Sequence, residues 1–118
     1  MRASRTDPQR PTRQLLEQLP RLQFSDSGCI DVSQSPPALL RSIAEDAETT
    51  LSTIHQGLGA IGHLLAHSAV PIEDDTIGAD SLESLGFLMA ELCDLAAACM
   101  ILAARCRRAA GADDERAG

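Results

Sequence analysis

His63 and His67 stand four residues apart in "HLLAH", a spacing that places two imidazoles on one face of a helix. With Asp74 or Asp75 from the acidic run that follows, they make a donor set of the kind that holds zinc. The hydrolytic form of such a motif needs a glutamate beside the first histidine as general base, and Leu64 occupies that place. The simpler reading is two polar residues near a helix C-terminus, where the helix dipole favours imidazolium. His55 stands alone and reads as exposed. "GLGAIG", Gly57 to Gly62, has the glycine spacing of a dinucleotide fingerprint, but no strand precedes it and it falls inside a helical repeat. It reads instead as a place of close helix approach or a kink. Cys29, Cys93, Cys99 and Cys106 form no CxxC pair. Three of them share one helical stretch, where a thiol packs as a small hydrophobe, so they read as reduced cysteines of a cytoplasmic protein. Cys29, beside a turn, is a candidate nucleophile, yet no neighbour in sequence lowers its pKa. No catalytic set and no metal or cofactor site is assigned, and the chain reads as a non-enzyme.

"GADSLESLGFLMAEL", residues 78–92, deserves separate treatment because Ser81 follows Asp80 at the start of a helical pattern. Gly78, Ala79, Asp80, Ser81 and Leu82 resemble the attachment site of acyl carrier proteins. That resemblance implies phosphopantetheine on Ser81, and acidity and small helical size agree with it. Carrier domains continue through two further helices, whereas only ten residues follow Arg108. The stretch is also longer and more apolar than a carrier helix. Asp80 as N-cap with Glu83 at N3 forms a capping box, which accounts for both acids without a cofactor.

The elements that position these residues read as helices. At 118 residues the chain is one domain with a modest core. Its apolar mass is Leu, Ala and Ile, with Phe24 and Phe87 the only aromatics, a composition suited to helix packing. Residues 1–11 read as a disordered Arg- and Pro-rich arm, 12–108 as a single helical domain and 109–118 as a disordered tail. The arm lacks the apolar stretch of a secretory signal. "TRQLLEQL" predicts a short helix over 12–19, capped by Thr12 and stopped by Pro20. Leu22 and Phe24, then Ile30 and Val32, alternate around "SDSG" and fit a short extended hairpin over 22–32. Ser35 as N-cap with Pro36 at N1 opens a long helix. Its seam runs Leu40, Ile43, Ala47, Leu51, Ile54, Leu58, Ile61, Leu65, in steps of three and four. After the acidic loop at Glu73–Asp75 a second long helix follows, with seam Leu82, Leu85, Met89, Leu92, Ala96, Cys99, Ala103, Cys106. Arg105, Arg107 and Arg108 suit the last turn of that helix, and Gly111 lies past its end. The fold class is all-α: two long antiparallel helices with a short N-terminal one.

Charge and apolar surplus decide what such a fold is for. Residues 1–23 carry five Arg against Asp7 and Glu17, a net of +3. Residues 24–104 carry Arg41 against twelve acids, a net of -11. A body so acidic repels phosphate backbones, which argues against direct nucleic-acid binding. The run from Phe87 to Ala104 holds Glu91 and Asp94 and reads as too short and too charged to span a bilayer. Yet residues 95–104, "LAAACMILAA", carry no charge, amide or hydroxyl. Beside the main seam runs a second one, Leu85, Leu88, Leu92, Leu95, Cys99, Leu102, Cys106, and Ala98 and Ile101 make the back apolar too. A helix apolar on all sides is buried on all sides. One helical hairpin does not achieve that, but two do, as a homodimeric four-helix bundle.

"SPPALLRSIAEDAETTLSTIHQGLGAIGHLLAH" followed by "SLESLGFLMAELCDLAAACMILAARC", after an Arg- and Pro-rich arm, resembles the QslA-type quorum-sensing antiactivators of pseudomonads. The likeness is one of overall character over most of the chain. It implies a dimeric helical protein that binds the ligand-binding domain of a LuxR-type (LasR-like) activator. The activator's own dimerisation surface would be covered, and its grip on DNA lost. The assignment that follows places Leu85, Leu88, Leu92, Leu95, Cys99 and Leu102 in the homodimer interface. Partner contacts fall to Leu15, Leu16, Leu19, Phe24, Leu51, Ile54 and Leu58. Any other small helical adaptor, a phage-encoded inhibitor included, would share these signs.

Overall fold

A computed structural model describes residues 10–117, with side chains described through Ala112. The arm expected over residues 1–11 lies almost wholly outside the described residues. The described chain is all-α: α1 (Pro11–Gln18), a 3-10 turn (Leu19–Arg21), α2 (Pro37–Ala66), α3 (Ala69–Glu73) and α4 (Ala79–Ala117). It contains no strand among the described residues. The hairpin expected over 22–32 is reduced to one antiparallel bridge between Phe24 and Ile30, closed by a turn in which Gly28 takes φ 85°. Five residues separate the bridge partners, and the ladder extends no further.

Helix starts differ from the sequence expectation, and in α1 and α2 the polar side chain expected to cap is used elsewhere. α1 begins at Pro11, with Arg10 at the cap position and no side-chain cap. Thr12 instead meets Thr50 of α2, hydroxyl to hydroxyl at 3.0 Å. α2 begins at Pro37, one residue later than expected, with Pro36 in the cap position. Ser35 is fully buried and its hydroxyl accepts the Gln23 backbone N–H at 3.2 Å. Asp80 lies inside the first turn of α4 rather than before it. At its other end α4 runs on through Gly111 to Ala117, past the expected stop.

α4 folds back along α2. Arg107, near its far end, reaches Glu48 in the first half of α2, with Nη2 to Oε1 at 2.6 Å. Both seams face inward, but their burial is uneven. All eleven core residues lie at one end, which we call the base: Leu39, Leu40, Ile43, Ala44 and Ala47 of α2, Cys99, Ala103, Cys106 and Ala110 of α4, with Leu15 and Leu22. Ala and Cys supply most of the α4 side, small side chains that leave the larger Leu and Ile of α2 to fill the core. α1 closes the base by laying Leu15, Gln14 and Gln18 on α2. Gln18 Nε2 donates to Asp46 Oδ2 at 2.6 Å, which satisfies a carboxylate that is only 6% exposed.

The other end, the tip, carries only the short connecting α3, which buries no residue. Leu51, Ile54, Leu58, Ile61 and Leu65 meet Leu82, Leu85, Met89, Leu92 and Ala96 there, and all ten are only half-buried. A two-helix seam shields such side chains without removing them from water. The molecule is correspondingly long, 64 × 41 × 21 Å with a radius of gyration of 18.9 Å. A compact chain of this length has a radius near ~13–14 Å.

Candidate interaction surface

Leu88, Leu95 and Leu102 are seven residues apart and lie along one line of α4, beside the seam that faces α2. Leu102 is half-buried and packs against the core, at the level where residues 22–35 cross α4. Leu95 and Leu88 lie beyond that cover and stay 42% and 51% exposed. On α2 the equivalent line runs Asp46, Thr50, Thr53, Gly57, Ala60, Leu64, in steps of four and three. α1 covers its first two members through Gln18 and Thr12. The last four are exposed, Leu64 by 69%. α2 and α4 run in opposite senses, so these two lines flank the seam on the same side. The base of that side is roofed by α1 and residues 22–35. The tip of the same side is an open apolar trough, floored by the half-buried seam.

Phe87, Met100 and Ile101 add further exposed apolar surface around α4. This helix is long and apolar enough to cross a membrane, with mean hydropathy 2.0 in its most apolar stretch, of which 11% is buried. The expectation that it was too short and too charged is therefore corrected on length and composition. Two carboxylates, Glu91 and Asp94, still sit midway along it.

The residues assigned to self-association divide. Cys99 is 3% exposed and spent inside the chain's own core, while Leu85 and Leu92 face α2. Leu88 and Leu95 remain available, with the edge of Leu102. The partner set divides likewise. Leu15 is buried at 4%, Leu19 is half-buried against the core, and Leu51, Ile54 and Leu58 belong to the seam. Leu16 and Phe24 alone of that set are exposed. Sequence reasoning missed Leu64, because only the path of α1 reveals which α2 line is left open.

A second feature lies at the base, a shallow cleft of about 400 Å³ lined by Cys29, Ile30, Val32, Arg105, Arg108 and Ala109. Arg105 is held in place: Nη2 donates to the Gly28 carbonyl at 2.8 Å, and its guanidinium lies 5.9 Å from the centre of the Phe24 ring.

Side chains with chemical potential do not converge. His55, His63, His67, Asp74 and Asp75 are exposed, and no group of three metal-ligating side chains occurs among the described residues. The Asp74 carboxylate accepts the Thr76 N–H and hydroxyl, which lowers its pKa and ties it into its own turn. Gly57–Gly62 lies in the last third of α2 with open space around Gly57, Gly59 and Gly62. Burial raises the pKa of the Cys99 and Cys106 thiols, the opposite of what a nucleophile needs. Ser81 stands exposed in the first turn of α4, and α4 continues unbroken from it for the rest of the described chain. Comparison with known proteins finds no matching family model, no similar curated protein and no similar solved structure.

Proposed function

We propose that this protein works by contact alone, as a cytoplasmic, non-enzymatic antiactivator. Its two long antiparallel helices pair with those of a second copy into a four-helix bundle. The dimer binds the ligand-binding domain of a LuxR-type transcription activator, covers that domain's dimerisation surface and so prevents DNA binding. The observation that carries the contact-based reading is the open trough at the tip, where Leu88, Leu95 and Leu64 face water. Exposed apolar residues grouped on one face mark an association site. The choice of a LuxR-type partner rests on the sequence resemblance to QslA-type antiactivators. Leu16 and Phe24, exposed at the base, are left for that partner.

The experiment is capture of a purified LasR-like ligand-binding domain, followed by measurement of the full activator's DNA occupancy. A stable complex and a fall in occupancy support the reading. Occupancy unchanged with the activator captured, or no capture, overturns it.

A further inference from the structure

If two copies pair through the trough, the fold itself restricts how they face each other. α1 and residues 22–35 stand proud of the α2/α4 layer by about one helix diameter, ~10 Å, on the same side as the trough. Two copies stacked with tips at the same end would bring these two thickenings together. That would hold the α2/α4 layers about 20 Å apart, where helix packing needs roughly 8–10 Å. Turned end for end, each thickening lies beyond the other copy's tip, and the two troughs close on each other.

At the ends of the molecule charge points the same way. Between Arg41 and Arg105 the sequence holds ten carboxylates and no Lys or Arg. Side-by-side tips would set Glu73, Asp74, Asp75, Asp80 and Glu83 against their own copies. The opposite orientation carries Glu73–Asp75 of one copy to the level of Thr12 and Thr50 of the other. Arg10 stands there, exposed at the start of α1, beside Arg13, which already pairs with Glu17 at 3.1 Å.

We infer that two copies associate trough to trough in opposite directions, overlapping only over their tip halves. The twofold axis passes between Leu88 and Leu95, so Leu88 of one copy packs on Leu95 of the other and α4 lies on α4; the exposed Glu91 carboxylates come together beside the axis, a like-charge cost that the apolar contact outweighs. The overlap spans residues 51–66 of α2, about 24 Å of helix, by two helix widths of about 10 Å. That closes roughly 1,000 Å² in total, the lower limit for a specific interface. This inference rests on the dimer proposed above and adds its orientation.

The test uses full-length chains carrying Cys29→Ser and Cys93→Ser, since both thiols are exposed. Light scattering first gives the oligomeric state, and far-UV circular dichroism confirms that helicity is retained. Leu88→Cys chains are then mixed with Leu95→Cys chains, and separately with Leu64→Cys chains, under mild oxidation. A crosslinked dimer in the first mixture and none in the second is the expected result. A crosslink only in the second mixture means that tips lie at the same end, which overturns the orientation and leaves the dimer standing. A dimer with neither crosslink places its interface elsewhere and overturns the proposal. A monomer at tens of micromolar removes the dimer itself.

Discussion

Replacing Leu88 and Leu95 together by Ser tests the trough most directly. Complete burial of a leucine contributes ~1.5–3 kcal/mol. The two side chains are 51% and 42% exposed in the single chain, so about half of that remains to be gained on association. Each occurs twice in a symmetric dimer, and four half-contributions give roughly 3–6 kcal/mol. At ~1.4 kcal/mol per decade, the dimer dissociation constant rises by about 10²–10⁴. The assay is sedimentation equilibrium or light scattering over a dilution series. A parallel thermal melt is run at a concentration where the parent is already monomeric. There the variant melts within a few degrees of the parent, because both side chains are largely outside the chain's own core. A dissociation constant within threefold of the parent refutes the reasoning, since these side chains would then be uncovered in both states.

Four further outcomes follow from the same structure. Burial raises the Asp46 pKa above its ordinary 3.8, an effect that outweighs the lowering by Gln18's hydrogen bond. The folded state therefore prefers the protonated acid, and stability falls as pH rises from about 3.8 through the raised value. Asp46→Asn keeps the acceptor for Gln18, so its urea midpoint equals or exceeds the parent's at pH 7. The advantage shrinks toward pH 3.5, and a variant weaker than the parent at neutral pH contradicts this account. Gly62→Ala, at an open helical position near the end of α2, raises stability by ~0.4–1 kcal/mol, read as a shift in denaturation midpoint. Glu48→Ala removes an ion pair whose side chains are 48% and 45% exposed, and costs under ~1 kcal/mol by the same measurement. Ser81 gains no mass on incubation with coenzyme A and a phosphopantetheinyl transferase; a pantetheinyl adduct would revive the carrier reading.

The seams were readable because steps of three and four put Leu40 to Leu65, and Leu82 to Cys106, on single helix faces whatever covers them. The all-α class follows from that periodicity. What covers each face was not readable, because it depends on where α1 lands. The segment after α1, residues 22–35, half-buries Leu102 and leaves Leu88 and Leu95, on the same line, in water. Cap positions failed for a related reason. Thr12 and Ser35 have the right chemistry for a cap, but each satisfies a distant partner, Thr50 and Gln23, which local sequence cannot announce. Of the candidate surface, Leu88 and Leu95 were legible as surplus apolar positions, but Leu85, Leu92 and Cys99 were counted with them and Leu64 of α2 was overlooked.

Because every core side chain sits at one end, the molecule is built like a cantilever, clamped at the base and free at the tip. Thermal bending grows with distance from the clamp, so amide hydrogens near Leu65 and Leu82 exchange through local openings, while those near Ile43 and Cys106 wait for global unfolding. A partner that grips the free end stiffens the beam where it is softest, and its binding entropy carries that cost.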